Sequence, residues 1–257
     1  MYRELPTERV SVVIPVRNDR DYLERCLDAL ALQTYAPFEV IVVDNGSTDG
    51  AASIAAQRGA HIVHESELGI PAASAAGYDA ARGDLIARLD ADSIPGVTWV
   101  ASVCEAFARH SNAAAITGSG MLMDDDGTPH RRSSRFFMRS YFGLVGLALG
   151  HPPLWGSALA MRRAAWLEVR DEVCRHDQKM HDDMDLSIHL GPRFEIVLDR
   201  TLTVPVSSRP LTFDLSAVVR FARGFYTILR HWPREFPPVR MLRRARAHRT
   251  VEALQTA

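Results

Sequence analysis

Lysine is almost missing from this sequence. Of 30 basic side chains only Lys179 is a lysine, which leaves 29 arginines, and we read this as GC-rich coding bias. Cysteine is scarce as well. Cys26, Cys104 and Cys174 are odd in number, far apart, and lack Cys-x-x-Cys or Cys/His spacing. That argues against a disulfide scaffold or a structural zinc site and fits a reducing compartment. Neither sign of charge is in excess, with 31 acids against 30 bases. A polybasic nucleic-acid binder is therefore not expected, although a local basic face is compatible with this balance. Long apolar runs are missing: the most apolar stretch, Phe136 to Gly150, contains Arg139 and is too short to span a bilayer. The opening MYRELPTERV has no apolar signal-peptide core. There is no G-x-G-x-x-G after the first apolar run, no G-x-x-x-x-G-K-[ST] and no G-x-S-x-G, so dinucleotide-fold, P-loop and α/β-hydrolase readings lose their main support. Internal repeats and low-complexity linkers are absent too.

What is present suffices for a large core, because 47% of 257 residues are hydrophobic. Val10 to Pro15 is a continuous apolar, β-branched run and predicts a strand buried on both faces. Asn18-Asp19 is a good N-cap pair for a helix whose one face is Tyr22, Leu23, Cys26, Leu27 and Leu30. Phe38 to Val43 predicts a second buried strand, Ser47 to Arg58 a short helix with Gly59 as its C′ residue, and Ala60 to His64 a third strand. Pro71 to Arg82 predicts an Ala-rich helix capped by Gly83, and Leu85 to Leu89 a fourth strand. This alternation implies an α/β fold with a mostly parallel sheet and helices on both faces. Ligands bind such sheets at the carboxyl ends of the strands, where Pro15 to Asp19, Asp44 to Ser47 and Asp90 to Asp92 all fall. Beyond residue 95 the pattern loosens. A helix face at Trp99, Val100, Val103 and Phe107 precedes a strand over 113–123, an acidic turn at 124–127 and a basic, aromatic segment over 131–141. Trp155-Gly156-Ser157 leads into a short strand, helices are expected around 164–173 and 184–190, and 194–206 predicts one or two strands.

Three clusters could carry chemistry. Asp90-Ala91-Asp92 places carboxylates at i and i+2, which share a side if the segment is extended. Such a pair suits Mg²⁺ or Mn²⁺, and such a cation would stabilise a departing diphosphate; the alternative is a capped turn before Pro95. Asp44 could accept hydrogen bonds from a base or a ribose, or Asp44-Asn45-Gly46 could be only a turn with Ser47 as a helix cap. His181-Asp182-Asp183-Met184-Asp185 packs three carboxylates into four residues. It reads either as acids in a helix's first turn or as a general base whose pKa its neighbours perturb. Trp155 and Gly156 could form an acceptor platform, with core packing of Trp155 as the alternative.

Taken in order, these segments resemble the family 2 glycosyltransferases, with the A-type nucleotide-sugar transferase fold. The resemblance rests on Ser11 to Asp19, Val40 to Gly50, Ala81 to Asp84, Leu89 to Asp92, Trp155 to Arg163 and Asp182 to Ser187, and covers about 10–206. It implies that Pro15, Val16, Asn18, Asp19, Asp44 and Ser47 hold a nucleoside-diphosphate sugar. Asp90 would contact ribose or the metal shell, Asp92 would ligate Mg²⁺ or Mn²⁺, and Asp183 would be the base of a single inverting displacement. Trp155, Gly156 and Asp182 would face the acceptor, a carbohydrate, a lipid-linked molecule or a small molecule. Two departures matter. The Arg-Asn pair common after Gly69 reads Ser74 and Ala75 here, which removes a cation, and the C-terminal Gln-x-x-Arg-Trp of processive members is absent. Ser74 and Ala75 motivate one alternative, a degenerate nucleotide-sugar-binding domain; the other is a nucleotidyltransferase using the same pocket, which would want a basic glycine-rich loop near the first strand that the sequence lacks.

The expected organisation is one transferase domain over 1–207, with a nucleotide-sugar half at 10–95 and an acceptor half at 96–207, followed by a basic helical tail at 208–257. The tail holds ten arginines against two acids between Arg209 and Arg249. It is expected either to pack on the catalytic domain with a solvated arginine face or to touch an anionic membrane. Arg209 could reach the diphosphate. The expected location is the cytoplasm, including the inner face of the membrane.

Overall fold

The computed structural model describes residues 8–124, 126–208 and 215–232. The first half runs β1 (Val10–Val16), α1 (Arg20–Ala31), β2 (Glu39–Asp44), α2 (Ala51–Gln57), β3 (His61–His64), α3 (Ile70–Ala80) and β4 (Leu85–Arg88). The second half adds α4 (Trp99–Arg109), β5 (Ala113–Met123), α5 (Arg131–Leu149), a 3₁₀ turn (Gly156–Ala158), β6 (Leu159–Arg162), α6 (Arg163–Val169), α7 (Asp182–Leu190), β7 (Glu195–Ser207) and α8 (Leu215–Arg230). One seven-stranded sheet has the order β3-β2-β1-β4-β6-β5-β7. The pairs β1/β2, β1/β4, β2/β3 and β5/β7 are parallel, and only β6 runs antiparallel to its neighbours.

That single reversal positions the site. β6 starts where β4 ends, with Leu159 paired to Arg88, so the turn at Gly156–Ala158 is delivered to the carboxyl edge of β1, β2 and β4. Alternate residues of β1 feed two cores: Val10, Val12 and Ile14 pack with Leu23, Val103 and Phe107, while Val13 packs with Ile41, Tyr78, Trp166 and Leu186. This is the two-sided burial that a continuous apolar strand predicts. α3 lies directly on the sheet because Gly77 has no side chain. A Cβ there would stand 2.3 Å from Val13 Cγ1 and 2.8 Å from Val43 Cγ2.

Several local expectations are corrected. Asp19 occupies the N-cap position of α1 but makes no side-chain cap; the carboxylate that receives the Arg20 N–H belongs to Asp49, at 2.9 Å. α2 starts at Ala51, because Ser47 to Gly50 form the turn that carries the site, while Gly59 does take the left-handed conformation at φ +76°. Gly83 is not a helix cap, since α3 ends at Ala80. It is small because a Cβ would meet the Arg9 carbonyl at 2.6 Å. Phe38 lies outside β2 and is exposed. α6 is shorter than expected, and β7 is one irregular strand. The basic, aromatic segment is the start of a 19-residue helix, α5. No helix among the described residues is long and apolar enough to cross a membrane.

Candidate active site

The loops after β1 and β2 are tied to one another. Asn18 adopts a left-handed φ of +55°, which its short amide side chain tolerates better than most. Its N–H donates to Ser47 Oγ at 3.2 Å, and its Oδ1 accepts from Thr48 N at 2.8 Å. Asp44, buried at the end of β2, accepts the Ser47 N–H at 3.0 Å and lies 3.4 Å from His64 Nδ1. Asn45 reaches the next loop: it donates to the carbonyls of Glu65 and Glu67 and accepts from Gly69 N at 2.7 Å. The structure thus brings Asn18, Asp44 and Ser47 together. Asp19 is half-exposed beside them, and Pro15 and Val16 contribute buried backbone at the end of β1.

At the end of β4 the chain turns. Ser93 N donates to the Asp90 carbonyl at 3.0 Å, so Asp90-Ala91-Asp92 is a turn rather than the extended segment the i, i+2 argument assumed. Ala91 is buried, whereas both carboxylates are half-buried. Asp90 is held from two sides, by Arg88 Nη2 at 2.8 Å and by Ser157 Oγ at 2.5 Å.

Arg88 is the residue that sequence reasoning missed. It sits inside a strand read as apolar, its side chain only 4% exposed, and its guanidinium pairs with Asp90 and Asp182 together. Gly156 makes room for it, since a Cβ at that position would stand 3.0 Å from Arg88 Cζ. Asp182 also accepts Ser74 Oγ at 2.7 Å. Ser74, which stands where a cation was expected, therefore faces a buried cation delivered from β4. The available signal was a lone arginine in the strand that leads into two aspartates. Arg88 Nε and Tyr78 Oη are buried beside this cluster without hydrogen-bond partners.

Asp183 lies next to it, on the first turn of α7. Gly156 N donates to its Oδ2 at 3.0 Å, Met184 N to its Oδ1 at 2.7 Å, and His181 Nδ1 stands 3.7 Å away. Burial pushes this carboxyl up, but His181, Arg88 and the Gly156 N–H outweigh burial and hold Asp183 below the ordinary carboxylate range. Its neighbour behaves in the opposite way. Burial raises Asp182 against the pull of Arg88, and the charge of Asp183 adds to the rise. The two adjacent acids are thereby shifted in opposite directions, Asp183 downward and Asp182 upward.

Trp155 is half-buried and packs edge-on against Phe137 and Tyr141 of α5, with centroids 5.9 and 5.1 Å apart. Trp155 is thus a packed ring, and its Nε1 is buried with no hydrogen-bond partner. α8 docks on the loop before α7: Thr227 Oγ1 accepts His181 N at 2.9 Å, and Tyr226 Oη donates to Asp177 at 2.7 Å. Half-buried Arg223 donates to the Gln178 and Lys179 carbonyls, while Phe225, Leu229 and Trp232 are exposed. Arg209 and the tail beyond Trp232 lie outside the described residues.

Comparison with known proteins agrees with this layout. The chain is 37% identical over 99 residues to glycosyltransferase AglE of Haloferax volcanii, covering 35% of this chain and 33% of that protein. It is 30% identical over 138 residues to the putative glycosyltransferase EpsH of Bacillus subtilis, covering 48% and 39%. The chain thus matches between a third and two fifths of the length of these relatives. Among solved structures, mannosyltransferase PcManGT from Pyrobaculum calidifontis, in complex with GDP-Man and Mn²⁺, superposes with a TM-score of 0.64 at 18% identity, covering 96% of this chain and 76% of that one. Glucosyl-3-phosphoglycerate synthase from Mycobacterium tuberculosis, with Mn²⁺, UDP and phosphoglyceric acid, gives 0.59 at 20% identity, covering 86% and 79%. At these identities the likeness is one of fold. The sequence profile described as Glycosyl transferase family 2 matches residues 11–169, more than half of the chain, and the protein belongs to that family.

Proposed function

We propose that the chain transfers a sugar from a nucleoside-diphosphate sugar to an acceptor hydroxyl, with inversion at the anomeric carbon. The observation that carries this reading is the Asp183 carboxylate. Its side chain is 14% exposed yet held below the ordinary carboxylate range, and it is fixed by Gly156 at the same sheet edge as the nucleotide-side loops and the Asp90–Asp92 turn. Asp183 takes the acceptor O–H proton, the acceptor oxygen bonds to the anomeric carbon, and the bond to the diphosphate oxygen breaks, with its electron pair leaving on the nucleoside diphosphate. The oxygen donors suit a hard divalent cation, with Asp92 and Asp90 of the half-buried turn as its ligands. Such a cation, Mg²⁺ or Mn²⁺, would neutralise the departing diphosphate. Asp44, Ser47 and Asn18 would hold the nucleotide, and Trp155 and Asp182 would border the acceptor.

Titration calorimetry with UDP, GDP and dTDP, each with Mn²⁺ and with EDTA, tests the donor side. One nucleotide is expected to bind in a metal-dependent way, and Asp92→Ala to weaken it at least about tenfold. Equal binding with and without metal removes Asp92 from its role. If no nucleotide binds, the degenerate-domain reading replaces this one. Release of pyrophosphate from a nucleoside triphosphate and a sugar phosphate identifies a nucleotidyltransferase.

The acceptor side supports a lipid-linked substrate at an anionic bilayer. The outer face of α5 exposes Phe136, Leu144 and Leu147 together with Arg131, Arg132, Arg135 and Arg139, and the helix contains no acid. Its inner face packs edge-on against Trp155 through Phe137 and Tyr141. Apolar side chains flanked by arginines fit an anionic interface, at about 1 kcal/mol per arginine near the surface. Co-sedimentation with phosphatidylglycerol vesicles is expected and should fall severalfold in Phe136→Ser/Leu147→Ser. Equal retention on pure phosphatidylcholine, or by the double variant, refutes the contact.

A further inference from the structure

On the opposite side of α7 from the base, three ligand-type side chains converge. Asp185 Oδ1 lies 2.7 Å from His231 Nε2, directly after α8, and 3.5 Å from His189 Nε2, one turn further along α7. The three ligand atoms all fall within 4.8 Å of one another. Asp185 is 1% exposed, and the two histidine side chains are 17% and 18% exposed. His189 Nε2 is buried, points at the carboxylate and makes no hydrogen bond. At 3.5 Å from the carboxylate it is too far for a good hydrogen bond, and a buried polar atom usually has a closer partner.

We propose that Asp185, His189 and His231 form a zinc-type site, separate from the Asp90–Asp92 turn. Two imidazole nitrogens and one carboxylate oxygen are the donor set that zinc favours, and three protein ligands leave a fourth position for water. Ligands about 2.0–2.1 Å from a tetrahedral ion stand roughly 3.3 Å apart, so the observed spacing needs only small side-chain movements. The supporting contacts that orient metal ligands are also in place. His189 Nδ1 faces Glu172 Oε2 at 3.5 Å, and Asp185 Oδ2 accepts the Cys174 N–H at 2.7 Å. The bound ion would join the end of α8 to the helix that carries Asp183. Because α8 also accepts the His181 N–H through Thr227, that clamp would brace the segment leading into the base.

The test uses Zn²⁺ and Co²⁺ on the full chain after EDTA treatment and dialysis. Wild type is expected to bind about one Zn²⁺ per chain and to give the visible d–d bands of tetrahedral cobalt without thiolate charge-transfer bands. His189→Ala should lose the bands and bind Zn²⁺ at least tenfold more weakly, whereas Asp92→Ala should retain both. His231→Gln, which can still donate to Asp185, keeps the docking contact and should lose the metal with unchanged far-ultraviolet dichroism. Zn²⁺ should raise the melting temperature of wild type and not that of His231→Gln. The proposal is overturned if wild type and His189→Ala bind either ion alike, or if the bands vanish only in Asp92→Ala.

Discussion

Arg88→Met is expected to destabilise the fold by about 3–5 kcal/mol, the usual consequence of removing one partner of a buried ion pair and stranding the other. The guanidinium is 4% exposed and Asp182 11%, so solvent cannot replace it. For a chain of this size that corresponds to a fall in melting temperature on the order of 10 °C. The same change also releases Asp90, whose Oδ1 binds Arg88. Adding Asp182→Asn removes the stranded charge and should recover part of the loss, giving a coupling energy in a double-mutant cycle. Urea unfolding of the four proteins measures it. An Arg88→Met variant within about 1 kcal/mol of wild type would mean that the guanidinium does not compensate these acids.

Asp183→Asn should lower sugar transfer by about 10²–10⁴-fold, the range set by a positioned general base, while nucleotide binding stays within a fewfold of wild type. The amide preserves the size of the side chain and can still accept the Gly156 N–H. The acid limb of the pH profile provides a second readout. A base must be deprotonated to act, so transfer holds above the Asp183 pKa and is lost as pH falls through it. Because His181, Arg88 and Gly156 outweigh burial and hold that pKa low, the limb should lie below the ordinary carboxylate range. His181→Asn removes the leading compensation, and the limb should move to higher pH. An unmoved limb, with dichroism showing the fold intact, would assign it to another group. The anomeric configuration of the product, read by NMR, decides between inversion and retention.

The first half of the fold was legible because its strands are buried on both faces. Runs such as Val10 to Pro15 and Leu85 to Leu89 have no other stable environment, and the helices between them carry ordinary amphipathic spacing. α5 was not legible, because its outer face exposes Phe136, Leu144 and Leu147 and so breaks the apolar-in, polar-out pattern. The cap of α1 was misassigned for a related reason. Several acids near a helix start compete, and Asp49, 29 residues from Arg20, is the one that reaches it.

The carboxylates of the candidate site could be named from local motifs, since their spacing, their place after apolar strands and their order along the chain are properties of sequence. Their electrostatic state was not accessible in that way. Arg88 looks like a surface charge until β6, running antiparallel, lays Gly156 and Ser157 beside it and α7 brings up Asp182. Ser74 and Ala75 carry no charge, and the buried cation that shares Asp182 with Ser74, Arg88, belongs to a different strand. Asp185 and His189 are one helical turn apart in any reading, but His231 is 46 residues from Asp185 and meets it only because α8 docks on α7. Local periodicity and motif chemistry therefore determined the strands, the helices and the roster of acids. Long-range packing decided in which direction each acid is shifted and which cation compensates it, because those outcomes depend on burial and on charges a few ångströms away in space.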